Sequence, residues 1–180
     1  MSLYFVRHGQ SQPNLEKMFA GDDQDAPLTE KGCDQARQAA APLEGASVAR
    51  IISSPLLRAM QTARLIAEEL GLNPDDVTPD DRIAEYNLGA LRGQPQCKLT
   101  PSLMETVQGA EDPNAYQARI MDFVREHAND EPPTLMVSHA GSLCIIEATR
   151  QQLDPSAFYE MPSAPNAEAR LLDLSWLSAA

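Results

Sequence analysis

Cysteine, basic charge and long apolar runs are what this 180-residue sequence has least of. Its three cysteines, Cys33, Cys97 and Cys144, are odd in number and widely spaced, with no CxxC pair, so they make neither a disulfide framework nor a metal site. Fourteen Lys and Arg stand against 26 Asp and Glu, giving a formal net charge of -12 and a sequence pI near 4.5. Such a field repels nucleic acid and anionic membrane, and a phosphate site would have to be a local basic pocket in an acidic body. No apolar stretch is long enough to span a bilayer, and the first apolar run begins at residue 3 without a charged leader, so a cytoplasmic protein is expected. P-loop, GxGxxG and HExxH are all missing, which removes the usual devices for nucleotide and zinc binding.

What is present is 43% hydrophobic content, enough for one domain over residues 1–180 with a sizeable core. The run from Leu3 to Val6 is apolar throughout and reads as a strand buried on both faces. It ends in Arg7-His8-Gly9, where open α/β sheets bind ligands. Gly9 is expected to turn the chain sharply and bring bare N–H groups to an anion.

Residues 12–26, with Pro13, Gly21 and the Asp22-Asp23 pair, read as a loop. In it Asn14 either forms a turn or donates to a phosphate oxygen. Thr29 caps a helix over residues 30–44 whose Cys33, Ala36, Ala40 and Leu43 form a small-residue face. A strand over 48–53 precedes Ser54-Pro55, a helix start with Ser54 as cap, and that helix runs to residue 70. Arg58 in its first turn opposes the helix dipole, so it is either a solvated surface group or a partner for a bound anion. A short strand is placed near Val77 and Thr78. Glu85, one of 26 acids, is promoted only by its context. Asp112-Pro113 opens a helix to residue 129, with His127 as a surface residue complementing the dipole. The strand 134–138 ends in His139-Ala140-Gly141, repeating the architecture of the first, and feeds a helix over 142–153. A loop over 154–165 and an edge strand over 169–176 complete the chain.

Two imidazoles, two guanidiniums, an amide and a carboxylate, with no metal set, suit phosphoryl transfer through a histidine nucleophile. A neutral imidazole attacks phosphorus, arginines hold the oxygens, and a carboxylic acid protonates the leaving alkoxide. Arg7-His8-Gly9-Gln10-Ser11 with Asn14, Leu28-Thr29-Glu30-Lys31-Gly32, Ser53-Ser54-Pro55-Leu56-Leu57-Arg58-Ala59 with Gln61-Thr62-Ala63, Glu85-Tyr86-Asn87-Leu88-Gly89, and Val137-Ser138-His139-Ala140-Gly141 closely resemble the histidine phosphatase superfamily, also called phosphoglycerate mutase-like. The resemblance runs in order over nearly the whole chain. It implies an α/β fold, a three-layer α/β/α sandwich with a mostly parallel sheet.

The resemblance also implies that His8 is the nucleophile, that Arg7, Asn14, Arg58, His139 and Ala140 surround the phosphate, and that Glu85 is the proton donor. No metal or cofactor is called for. Many members have Glu at the position of Gln10 and Gly at that of Ala140; neither change removes a reacting group. The specificity segment, a lid at about residues 86–112, is short. A mutase would need further cations for a phosphoglycerate carboxylate, and between residues 93 and 133 the basic groups besides His127 are Lys98, Arg119 and Arg125. The expectation is therefore a histidine acid phosphatase-type phosphomonoesterase acting on a small phosphorylated metabolite. Alternatives are a protein phosphohistidine phosphatase, a phosphoglycerate mutase, or a binding module without catalysis. The sequence leaves the oligomeric state open.

Overall fold

The computed structural model describes residues 1–20 and 26–179; Gly21 and the Asp22-Asp23 pair of the first loop lie outside them. Five strands form one sheet among the described residues: β1 (Ser2–Arg7), β2 (Arg50–Ser53), β3 (Thr78–Pro79), β4 (Thr134–Ser138) and β5 (Ala169–Asp173). Their order is β3-β2-β4-β1-β5. The first four run parallel, and β5 pairs antiparallel with β1 at one edge.

Side chains on the central strands alternate between two apolar layers, as the pleat requires. Leu3, Phe5, Ile52 and Met136 face one layer with Tyr116, Ile120 and Phe123 of α5 (Pro113–His127) and Ile145 of α6 (Ala140–Arg150). Val6, Ile51, Leu135 and Val137 face the other, against Ala59, Ala63 and Ile66 of α3 (Leu57–Glu69). Helix α2 (Glu30–Gln38) packs beside α3, and a short helix, α4 (Pro101–Met104), precedes α5. Each fully buried aliphatic or aromatic side chain of these layers contributes roughly 1.5–3 kcal/mol relative to exposure. The result is a three-layer α/β/α sandwich with a mostly parallel sheet. Among the described residues, no helix is long and apolar enough to cross a membrane.

Several local expectations need correction. The first loop contains a short helix, α1 (Gln12–Glu16), because Asn14 Oδ1 turns back to accept the Ser11 N–H at 3.2 Å. Helix α2 stops at Gln38 and a 3-10 turn follows at Ala41–Leu43, since Pro42 cannot donate to the helical ladder. Cys33 is only half-buried. Strand β2 is shorter than expected, and α3 begins at Leu57 rather than beside Ser54. Helix α6 starts two residues early, at Ala140. His127 is buried rather than on the surface, its Nδ1 2.8 Å from Asp130 Oδ2 and its ring packed on Phe123.

Gly9 also differs from expectation. Its φ is not left-handed, and its N–H donates to Thr62 Oγ1 at 3.0 Å rather than waiting for an anion. Glycine is needed there because a Cβ would lie 2.3 Å from the carbonyl oxygen of Gly32.

Candidate active site

Parallel register brings the two histidines together. Arg7 pairs with Ser138, so the next residues, His8 and His139, leave the sheet side by side, and the His8 N–H donates to the Ser138 carbonyl at 2.9 Å. Ser54 leaves β2 at the same rim, its N–H donating to the Val137 carbonyl at 2.9 Å. The imidazole centroids of His8 and His139 are 5.1 Å apart, edge to face.

Both rings are buried, and their surroundings hold both pKa values well below the ordinary histidine value. For His8 the causes are burial first, then the Arg58 and Arg7 charges. For His139 burial again leads, followed by Arg58, His8 and Arg7. Neutral His8 has one proton. Its Nδ1 lies 2.7 Å from the Gly9 carbonyl, which can only accept, so the proton sits on Nδ1 and Nε2 presents a lone pair. Arg58 donates its Nε–H to that lone pair at 3.3 Å.

Arg58 is 2% exposed, which rules out the reading of a solvated surface arginine. Arg7 is held from the far end of the chain: its Nη1 donates to the Ala164 carbonyl at 2.5 Å, while its buried Nε has no hydrogen-bond partner. Asn14 has its carbonyl engaged by Ser11 Oγ at 3.1 Å and by Asn166 Nδ2 at 3.4 Å, which leaves its NH₂ for the cleft it lines. Asn166 donates to the His8 carbonyl as well, at 2.8 Å.

Glu85 follows a 3-10 turn at Asp81–Ile83 and is pinned by α5. Arg119 donates to the carbonyls of Arg82 and Ala84, each at 2.7 Å, and of Glu85 at 3.1 Å, while its Nε pairs with Glu111 at 2.7 Å. This fixes the loop. The Glu85 carboxylate then accepts the Tyr86 N–H at 3.0 Å and reaches within 3.9 Å of His139 Nδ1, itself a buried atom with no hydrogen-bond partner.

A chain of buried hydroxyls lies beneath Glu85. Ser138 Oγ must donate to the Ile83 carbonyl, at 2.7 Å, so it accepts from Ser142 Oγ at 2.7 Å. Ser142 in turn accepts from the Tyr116 hydroxyl at 3.1 Å, whose oxygen is 3.4 Å from Glu85 Oε1. Gly141 makes room for the junction, since a Cβ there would stand 2.5 Å from Glu85 Oε1 and 3.0 Å from the Tyr116 hydroxyl.

These groups meet at one cleft of about 570 Å³, lined by Arg7, His8, Asn14, Arg58, Glu85 and Ala140 among others. His139 is fully buried and does not line it, but touches the site through His8 and Glu85. Among the described residues, no three His, Cys, Asp or Glu side chains are grouped to hold a metal ion.

Sequence reasoning missed Ser54, Ala164, Asn166, Tyr116 and Ser142. Ser54 was expected to cap a helix. Its hydroxyl instead lies 2.7 Å from His139 Nε2 and accepts the Leu56 N–H, at 3.3 Å. A serine directly after an apolar strand, at the same rim as two histidines, was the available signal; the others carried none.

Two guanidiniums and an amide around an imidazole lone pair suit a tetrahedral, phosphate-sized anion, and that is the ligand class the fold and site define. The chain belongs to the histidine phosphatase superfamily (branch 1), whose model matches residues 3–175. A protein of Enterobacter sp. (strain 638) named probable phosphoglycerate mutase GpmB is 34% identical over 163 residues, covering 81% of this chain and 73% of that protein. A protein of the same name from Yersinia pestis (strain Pestoides F) is 39% identical over 101 residues, 56% of this chain and 45% of its own length. Among solved structures, Bacillus stearothermophilus YhfR matches with TM-score 0.82 and 25% identity over 97% of this chain and 91% of its own. A mycobacterial glucosyl-3-phosphoglycerate phosphatase solved with VO3 matches with TM-score 0.79 and 27% identity, covering 96% and 90%.

Proposed function

We propose that this chain is a metal-independent phosphomonoesterase that acts on a small phosphorylated metabolite through a phosphohistidine on His8. The observation that carries this reading is a neutral His8 lining the cleft, its Nε2 lone pair held by the buried Arg58 guanidinium, with the part-buried Arg7 and the Glu85 carboxyl group lining the same cleft.

In the first step the phosphoryl group enters among Arg7, Arg58 and Asn14 and seats against His8, so that one of its oxygens reaches the buried His139 ring behind the cleft lining. His8 Nε2 attacks phosphorus, the bond from phosphorus to the ester oxygen breaks, and protonated Glu85 gives its proton to the departing alkoxide. Ser54, with the Leu56 N–H on its oxygen, turns its own proton to His139 Nε2; His139 then carries its proton on Nδ1 and donates to a phosphoryl oxygen. In the second step Glu85 takes a proton from water, the water oxygen attacks phosphorus, the N–P bond breaks and phosphate leaves. The arginines match the charge of the in-flight phosphoryl group, which is most of the catalytic task in such transfers.

Relatives named as phosphoglycerate mutases favour a second reading, mutase activity. Against it, Arg119 is engaged by Glu111 and three carbonyls and is not available to a substrate carboxylate. Phosphate release from a panel of monoesters, by chelator-treated protein beside His8→Ala, tests the proposal. Hydrolysis is expected from the first and none from the second. Full activity in His8→Ala, or conversion of 3-phosphoglycerate to its isomer without phosphate release, would refute it.

A further inference from the structure

The cleft has two ends of different chemistry. Its floor is cationic, while its outer wall is built from Phe19, Leu88, Leu99, Phe158, Tyr159 and Met161. The sequence has only four Phe, four Tyr and one Trp, and Phe19, Tyr86, Phe158 and Tyr159 all line this one cleft. Three of them form a set of ring contacts, with Tyr86 5.0 Å from Phe158 and 5.7 Å from Tyr159, and Phe158 4.3 Å from Tyr159.

The two phenol hydroxyls and one side-chain amide of that wall are already engaged. The Tyr86 hydroxyl donates to the Glu111 carbonyl, so the Tyr159 hydroxyl donates to Tyr86 at 2.6 Å. Gln96 donates its side-chain amide to the Met18 carbonyl at 3.0 Å. Beyond Arg7 and Arg58, the one cation among the described lining residues is Lys98, and it stands 3.3 Å from Glu160, which also lines the cleft.

We infer that, given the phosphomonoesterase reading on which this rests, the substrate is a phosphate monoester of a bulky apolar alcohol, not a phosphorylated acid or sugar. An apolar leaving group loses water against the aromatic wall at a gain, whereas hydroxyls or a carboxylate would give up water and find few partners there.

The test compares three primary-alcohol esters of similar leaving-group chemistry, so that binding rather than intrinsic reactivity separates them: cyclohexylmethyl phosphate, glycerol 3-phosphate and 3-phosphoglycerate. With the full chain and chelator, kcat/KM is expected to fall in that order, by at least tenfold from first to last. Leu99→Ala should raise KM for cyclohexylmethyl phosphate severalfold, and by more than it does for glycerol 3-phosphate. If 3-phosphoglycerate or glycerol 3-phosphate is hydrolysed as well as the apolar ester, or Leu99→Ala affects both esters equally, the inference fails while the phosphatase reading stands. If no ester is cleaved, both fail.

Discussion

Arg58 donates its Nε–H to Nε2 of His8 across 3.3 Å, so the guanidinium covers the lone pair proposed to attack phosphorus. A phosphoryl group has more negative charge to offer an arginine than a neutral imidazole has, so it draws that hydrogen bond to itself as it arrives. The same arginine is, after burial, the next cause that keeps His8 deprotonated.

Arg58→Ala should therefore have two effects. Removal of a charge-stabilising donor should lower kcat/KM by about 10²–10³. Without that cation His8 accepts a proton more readily, so the acid limb of the kcat/KM profile should move to higher pH. A rate loss with an unmoved limb would separate Arg58 from the protonation of His8.

Gly141→Ala offers a test of the Glu85 position without replacing a reacting group. The added methyl would overlap Glu85 Oε1 at 2.5 Å, although alanine is a better helix former than glycine by up to about 1 kcal/mol. Hydrolysis of an alkyl phosphate should fall about tenfold or more, that of an activated aryl phosphate much less, and Tm should change little. Equal losses on both esters would contradict a proton-donor role for the displaced carboxyl.

Much of this was legible because it is local. His8 and His139 each end an apolar strand, and parallel strands must deliver their carboxyl ends to one rim. Thr29 caps α2, its hydroxyl accepting the Gly32 N–H at 3.0 Å, because the capping geometry spans three residues. What was not legible depends on neighbours distant in sequence. Asn166 reaches back 158 residues to the His8 carbonyl, and nothing near it signals that contact. Tyr116 sits at helical spacing for the core and is buried there; only the positions of Ser142 and Glu85 make its hydroxyl part of the site. His127 looks like a helix-end surface histidine until Phe123 and Asp130 close over it.

Stability should depend on pH through the buried pair. His8 and His139 are held neutral in the folded chain, whereas in the unfolded chain each titrates near pH 6.5. Above that pH neither state binds the protons. Below it the unfolded chain takes up two that the folded chain refuses, so stability falls as the medium is acidified, by up to about 2.7 kcal/mol per pH unit. Carboxylates such as Asp80, held low by hydrogen bonding to Arg82, act only nearer pH 4. The urea midpoint should accordingly drop between pH 7 and 5.5; a flat midpoint would mean that the histidines are not held neutral.

The most direct measurement is rapid base quench of a turnover with ester carrying labelled phosphorus, followed by mapping of the label. Chemistry through His8 predicts acid-labile, base-stable label on His8, appearing before free phosphate and missing from His8→Ala. Free phosphate released with no label ever bound to the protein, or label on another residue, would contradict it.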